Sequence, residues 1–194
     1  MKYDLTKPAT RGARRTLEAF RRAVLDELKE QPFESITVNA LCERADYPRA
    51  TFYNYFDDKY DLLGYMWRCL AEDAGVDEAA QIPPEDTLRV YFNRLYDIAE
   101  ANEDTIRAFA RLNQPEGYLM SSFRIQIGRI VRAFFDRCTP EEQAAHYPVP
   151  AELVSEQTAN TVLLVLEWRF LRGNTRTRED VLGYLQYLLG DLGR

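Results

Sequence analysis

The chain contains a single histidine, His146, and only three cysteines, Cys42, Cys69 and Cys138. One imidazole leaves no second ring for a metal site, and cysteines this far apart lack the paired spacing of zinc ligands. Their odd number, inside helical patterns where a small hydrophobe would serve as well, argues against a disulfide framework and fits a reducing compartment. No glycine-rich phosphate loop and no nucleophile elbow occur, and the adjacent carboxylates Glu141 and Glu142 read as charges at a helix start. These absences argue against the common catalytic classes and require neither metal nor cofactor. No apolar run reaches the roughly 18 residues of a membrane span, and no charged-then-apolar leader opens the chain. A cytoplasmic protein with no membrane partner is the expectation.

What is abundant is helix-forming sequence. Over 194 residues Leu, Ala, Glu and Arg recur throughout, with glycine and proline between the periodic segments. An all-α fold of about nine helices follows, and the length accommodates a small domain followed by a larger one. A net charge of −6 argues, by itself, against nucleic acid. Its distribution argues the other way. Up to residue 22 the cations are Lys2, Lys7, Arg11, Arg14, Arg15, Arg21 and Arg22 against Asp4 and Glu18, while the acidic excess lies after residue 60. A basic front on an acidic body suits a chain that meets phosphates at one end.

Residues 1–12 read as a flexible basic arm. From Arg14 to Glu30, Leu17, Phe20, Val24 and Leu28 recur at intervals of three and four and predict a first helix that ends before Pro32. Thr37 caps a second, in which Val38, Leu41, Cys42 and Ala45 share a face. Asp46-Tyr47-Pro48 then breaks the helix, because Asp tolerates a left-handed backbone and Pro48 can occupy the first turn of the next helix, Pro48–Phe56. Asp58 caps a fourth helix over 58–73, with Asp61 completing a capping box. An acidic, Ala-rich stretch ending in Pro83-Pro84 marks a junction. The expected division is a helix-turn-helix domain at 13–60, a bridging helix at 58–73, and a C-terminal domain at 74–194 with helices at 86–101, 103–113, 118–138, 150–172 and 177–192.

Two short helices joined by a tight turn, braced by a longer one, offer their last helix to the major groove. Phe52 and Phe56, four apart, can anchor the core and leave Arg49, Thr51, Tyr53, Asn54 and Tyr55 outward. Such a face suits base edges and phosphates. A short polar helix after a turn is ordinarily a solvated surface element; the spacing from Thr51 to Lys59 sets this one apart. The stretch Thr37–Leu63, above all Thr51-Phe52-Tyr53-x-Tyr55-Phe56-x-Asp58-Lys59 followed by Leu62-Leu63, resembles the DNA-binding signature of the TetR/AcrR (tetracycline-repressor) family. The likeness covers roughly residues 12–65.

That resemblance implies a dimeric transcription regulator, in the commonest case a repressor released by a small-molecule effector. It implies that Arg49, Ala50 and Thr51 face the groove, that Tyr53 and Tyr55 meet phosphates or base edges, and that Lys59 reaches a phosphate. A lysine at a helix N-terminus has its own warrant for that role, since it adds a charge to free backbone donors. Thr37 and Asn54 complete the expected DNA-binding set. Three positions depart from the family's pattern: Asp46 where glycine is usual, Tyr47 where a small aliphatic is common, and Pro48 where Ser or Thr often caps the reading helix. Operator preference therefore does not transfer from a relative.

The resemblance also implies that the last two helices of each subunit form a four-helix bundle. Val154, Thr158, Val162 and Val165 on the eighth helix and Val181, Leu185, Leu188 and Leu192 on the ninth are the expected interface, too apolar for the surface of a monomer. A two-fold dimer sets two reading heads about one DNA turn apart, or a multiple of it, and predicts a pseudo-palindromic operator. Phe92, Tyr96, Phe109, Phe123 and Trp168 are the candidates for an effector cavity, with plain core packing as the competing account. Duplex DNA, a second copy of the chain and an effector of unspecified chemistry are the expected partners. The alternative is an adaptor on the same scaffold that acts through protein contacts, an idea to which the acidic Asp46, Asp57 and Asp58 lend support.

Overall fold

The computed structural model describes residues 3–5, 8–75, 82–136 and 147–190, so Cys138, Glu141, Glu142, His146 and Leu192 lie outside the described residues. Among those described there are nine α-helices and no strand. They are α1 (Arg11–Glu30), α2 (Val38–Ala45), α3 (Arg49–Tyr55), α4 (Lys59–Asp73), α5 (Pro84–Ala101), α6 (Glu103–Leu112), α7 (Tyr118–Phe135), α8 (Ala151–Leu166) and α9 (Arg178–Leu189). A 3₁₀ turn at Phe33–Ser35 follows α1, and a π-helical turn at Glu167–Leu171 extends α8.

Helix α1 starts earlier than its apolar stripe suggests, because Thr10 caps it by accepting from the Ala13 N–H at 3.2 Å. The preceding segment, expected to be a flexible arm, is docked where it is described: Leu5 and Ala9 pack against the apolar core beneath α1. Thr37 caps α2 through the Ala40 N–H. Asp46 ends α2 in the left-handed conformation, at φ 57° and ψ 45°. Its neighbour Tyr47 donates to the Cys42 carbonyl at 3.1 Å, which closes the helix end. Pro48 turns out to be the cap of α3 rather than its first residue, with extended backbone at ψ 150°. Asp58 accepts from the N–H groups of Tyr60 and Asp61, both at 2.9 Å. Asp61 answers to the Asp57 N–H at 3.1 Å, one residue earlier than a capping box requires.

The chain forms two compact units. The first comprises residues 1–69 with 108–122, the second residues 70–107 with 123–194. In the first, Leu17, Phe20, Val24 and Leu28 of α1 meet Leu41 and Cys42 of α2, Phe52 and Phe56 of the α3 region, and Leu62, Leu63 and Met66 of α4. Polar side chains explain why residues 108–122 belong here. The buried N–H of Phe33 donates to Asn113 Oδ1 at 2.8 Å, the Tyr118 N–H donates to Glu34 at 3.1 Å, and Trp67 donates to Ser122 at 3.0 Å. Burial makes Cys42 and Cys69 small core residues, and it pushes the Cys42 thiol above its ordinary pKa.

In the second unit Phe92, Tyr96, Ile127, Ile130, Val162, Val165, Phe170, Val181 and Leu185 form the core. This core takes in Val162, Val165, Val181 and Leu185 of the expected subunit interface. Val154, Thr158, Val162, Val165, Val181 and Leu185 are all buried within the chain itself, and of the described positions in that set only Leu188 is exposed, at 47%. The physical reason is that α8 and α9 are apolar on two faces. The stripe chosen from spacing is the one that folds the unit, while Leu153, Leu164, Tyr184, Tyr187 and Leu188 form the outer one.

Candidate nucleic-acid interface

Helix α3 is held from behind by aromatic packing. Phe52 and Phe56 are fully buried, and Phe20 of α1 meets both rings edge-on, at 5.3 and 6.1 Å between centroids. Truncating either Phe would cost roughly 3–5 kcal/mol, so the helix has one way to sit. With its apolar side fixed, Arg49, Ala50, Tyr53 and Asn54 stand exposed and Thr51 and Tyr55 half-buried. Tyr53, although a large aromatic, is 45% exposed.

The exposed side chains are partly ordered among themselves. Arg49 donates from Nη2 to the Tyr53 hydroxyl oxygen at 3.2 Å, and its guanidinium lies 5.7 Å from the centre of that ring. The pair are one turn apart, and the bond uses one of five guanidinium donors. Ala50 beside them keeps the helix surface low, so the backbone can approach a partner closely. Thr37, at the exposed start of α2, spends its hydroxyl oxygen on the cap.

Lys59 is turned toward the backbone of its own unit. Its ammonium donates to three backbone carbonyls, of Phe33 at 3.0 Å, Glu34 at 2.7 Å and Ile36 at 2.9 Å. An ammonium has three protons, and all are used. Burial pulls its pKa below the ordinary value, while Glu34 and Asp58 pull it back up. The 3₁₀ turn after α1 makes these carbonyls converge, and no sequence spacing signals that. Arg44 is likewise committed, with Nε on Glu27 at 2.6 Å and two bonds to Glu30 at 2.9 and 2.8 Å. The cations left exposed on this unit include Arg11, Arg14, Arg15 and Arg22 on α1.

Three of the five aromatic candidates for an effector cavity share one core. Phe92 and Tyr96 are buried in the core of the second unit and Phe123 packs against it. Trp168 sits edge-on to Tyr184 at 5.6 Å. Phe109 packs against the core of the first unit. Sequence reasoning passed over Arg169, which is 8% exposed. It bonds Glu103 through Nη1 at 3.1 Å and Nη2 at 3.4 Å, and its Nε has no hydrogen-bond partner among the described residues. A charge on an apolar helix end looks like any surface arginine until the fold buries it.

Residues 22–66 match the family model described as bacterial regulatory proteins, tetR family. That segment is similar to the tetR family of bacterial regulatory proteins. No curated protein matches the sequence. Two solved structures share the fold of this chain. One is the dihydroxyacetone kinase operon activator DhaS, at 18% identity and a TM-score of 0.59, covering 91% of this chain and 96% of that one. The other is a TetR family protein from Vibrio parahaemolyticus, at 15% identity and a TM-score of 0.57, covering 89% and 95%. The matched residues contain α2, α3 and the start of α4, so the likeness to the tetR family and the exposed face of α3 concern the same segment.

Proposed function

We propose that the chain is a DNA-binding transcriptional regulator of the TetR family, that it acts in the cytoplasm as a homodimeric repressor of a pseudo-palindromic operator, and that a small-molecule effector releases it. The observation that carries the reading is the two-sidedness of α3: two phenylalanines fully buried behind it, and Arg49, Ala50, Tyr53 and Asn54 exposed in front. Arg49 and Asn54 supply the donor geometries that read guanine and adenine edges. Tyr53, Thr51 and Tyr55 supply hydroxyls for phosphates or bases, with Thr37 at the neighbouring helix start. Lys59 is left out of the contact set because its protons are spent inside the protein.

Dimerisation runs through the outer faces of α8 and α9, on which Leu153, Leu164, Tyr184, Tyr187 and Leu188 are exposed. Tyr187 is 85% exposed, a costly position for a side chain of its size without a partner. Effector release has a route in the covalent structure: α4 contributes Lys59–Cys69 to the first unit and its last residues to the second. A ligand bound among the second unit's helices therefore reaches the reading head through one continuous helix.

Selection of fragments from the protein's own genome, followed by footprinting, tests the reading. The expected result is protection of a two-fold symmetric site, lost when Arg49 and Tyr53 are both replaced by Ala. Enrichment of no fragment at low ionic strength contradicts it.

A further inference from the structure

The reading helix has seven residues, and a helix so short leaves most of its C-terminal carbonyls without an intrahelical donor. The carbonyl of Asn54 accepts instead from the backbone N–H of Tyr3, at 2.7 Å. The ring of Tyr3 lies 5.0 Å from the ring of Tyr55, inclined at 39°. The half-buried ring of Tyr55 also lies 6.3 Å from that of Phe56. Leu5 and Ala9 pack down onto the core of the same unit, and Thr10 opens α1. The segment ahead of α1 is thus anchored at Tyr3 against the end of α3 and at Thr10 against the start of α1.

From these contacts we propose that Tyr3 is a positioning residue for sequence recognition: it closes the C-terminal turn of α3 and fixes the side chain of Tyr55 before DNA arrives. The inference rests on the reading of α3 as the DNA-contacting helix. Its physical basis is preorganisation, since a side chain already held in place loses less freedom on binding. Tyr3 carries no charge. Its removal therefore leaves the number of charged phosphate contacts unchanged, and the expected effect falls on recognition of the correct sequence.

The test uses the full-length protein and two duplexes, one enriched by the wild type from a random pool and one of scrambled sequence and equal length. Y3A should bind the enriched duplex about tenfold more weakly, as expected for lost preorganisation, with unchanged affinity for the scrambled one and an unchanged salt slope. Both variants keep the backbone N–H; Y3F also keeps the ring and should match the wild type. Equal binding of the enriched duplex by Y3A overturns the proposal. A tighter Y3A complex overturns it too, by showing that the segment masks Tyr55. A parallel loss on both duplexes overturns it as well, since that is the signature of general destabilisation. A wild type that enriches no duplex overturns the α3 reading along with it, whereas enrichment followed by an indifferent Y3A overturns this inference alone.

Discussion

Arg44 donates from Nε to Glu27 at 2.6 Å, and it does so with a third of its own side chain exposed while that of Glu27 is only 6% exposed. The same guanidinium holds the exposed Glu30 through both terminal nitrogens. One arginine on α2 thereby neutralises a buried carboxylate on α1 and ties the bracing helix to the first helix of the turn motif.

Replacing Arg44 by Met leaves Glu27 buried with only the Gln31 amide as a donor. Breaking the pair from the arginine side leaves a carboxylate of low exposure without its charged donor, and the expected result is a loss of stability. Denaturant unfolding should show that loss in R44M and a partial recovery in R44M combined with E27Q. Equal stabilities for R44M and the double variant would contradict a buried charge as the cause.

Lys59 gives the sharpest separation between a structural and a DNA-contacting lysine. K59M strips three carbonyls of a charged donor and should lower stability by about 2 kcal/mol. Its salt slope on scrambled DNA should equal that of the wild type. A phosphate contact would instead reduce the slope by about 0.9.

The outer faces of α8 and α9 predict what holds two copies together. Replacing Tyr187 and Leu188 by Arg should convert the assembly into a folded monomer of 22.6 kDa, as read by light scattering. V181A, at a position with no exposure, should lower the melting temperature and leave the mass of the assembly unchanged. A dimer that survives both arginines places the interface elsewhere.

Acid sensitivity should concentrate at Glu103. The Arg169 hydrogen bond holds its carboxyl below the ordinary value of 4.5, outweighing the opposite effect of burial. A carboxylate whose folded pKa is depressed contributes stability that is fully present above the unfolded value and is lost as pH falls through the folded one. Melting curves between about pH 6 and about pH 3 should therefore fall more steeply below 4.5 for the wild type than for E103Q. Parallel curves would contradict the assignment.

Much of the fold was legible because its signals are local. The left-handed Asp46, the Thr37 and Asp58 caps, and the phenylalanines four apart each act within a few residues, and each is found as spacing suggests. What spacing did not show has a different origin. Lys59 turned inward because three carbonyls converge on it from a turn more than twenty residues away. Helices α8 and α9 carry apolar side chains on two faces, so periodicity alone does not say which face folds the unit. Tyr3 escaped notice because a single aromatic in a polar segment carries no pattern at all. Phe109 and Phe92 looked alike in sequence, yet they pack in different units.

The central claim is that the outward face of α3 reads DNA, and the salt dependence of binding to an enriched duplex, measured for the wild type and for R49A, tests it most directly. The account predicts a steep negative slope for the wild type and a loss of about 1–3 kcal/mol of discrimination in R49A between the enriched and the scrambled duplex. A wild type whose binding ignores salt, or an R49A protein that discriminates as well as its parent, would contradict it.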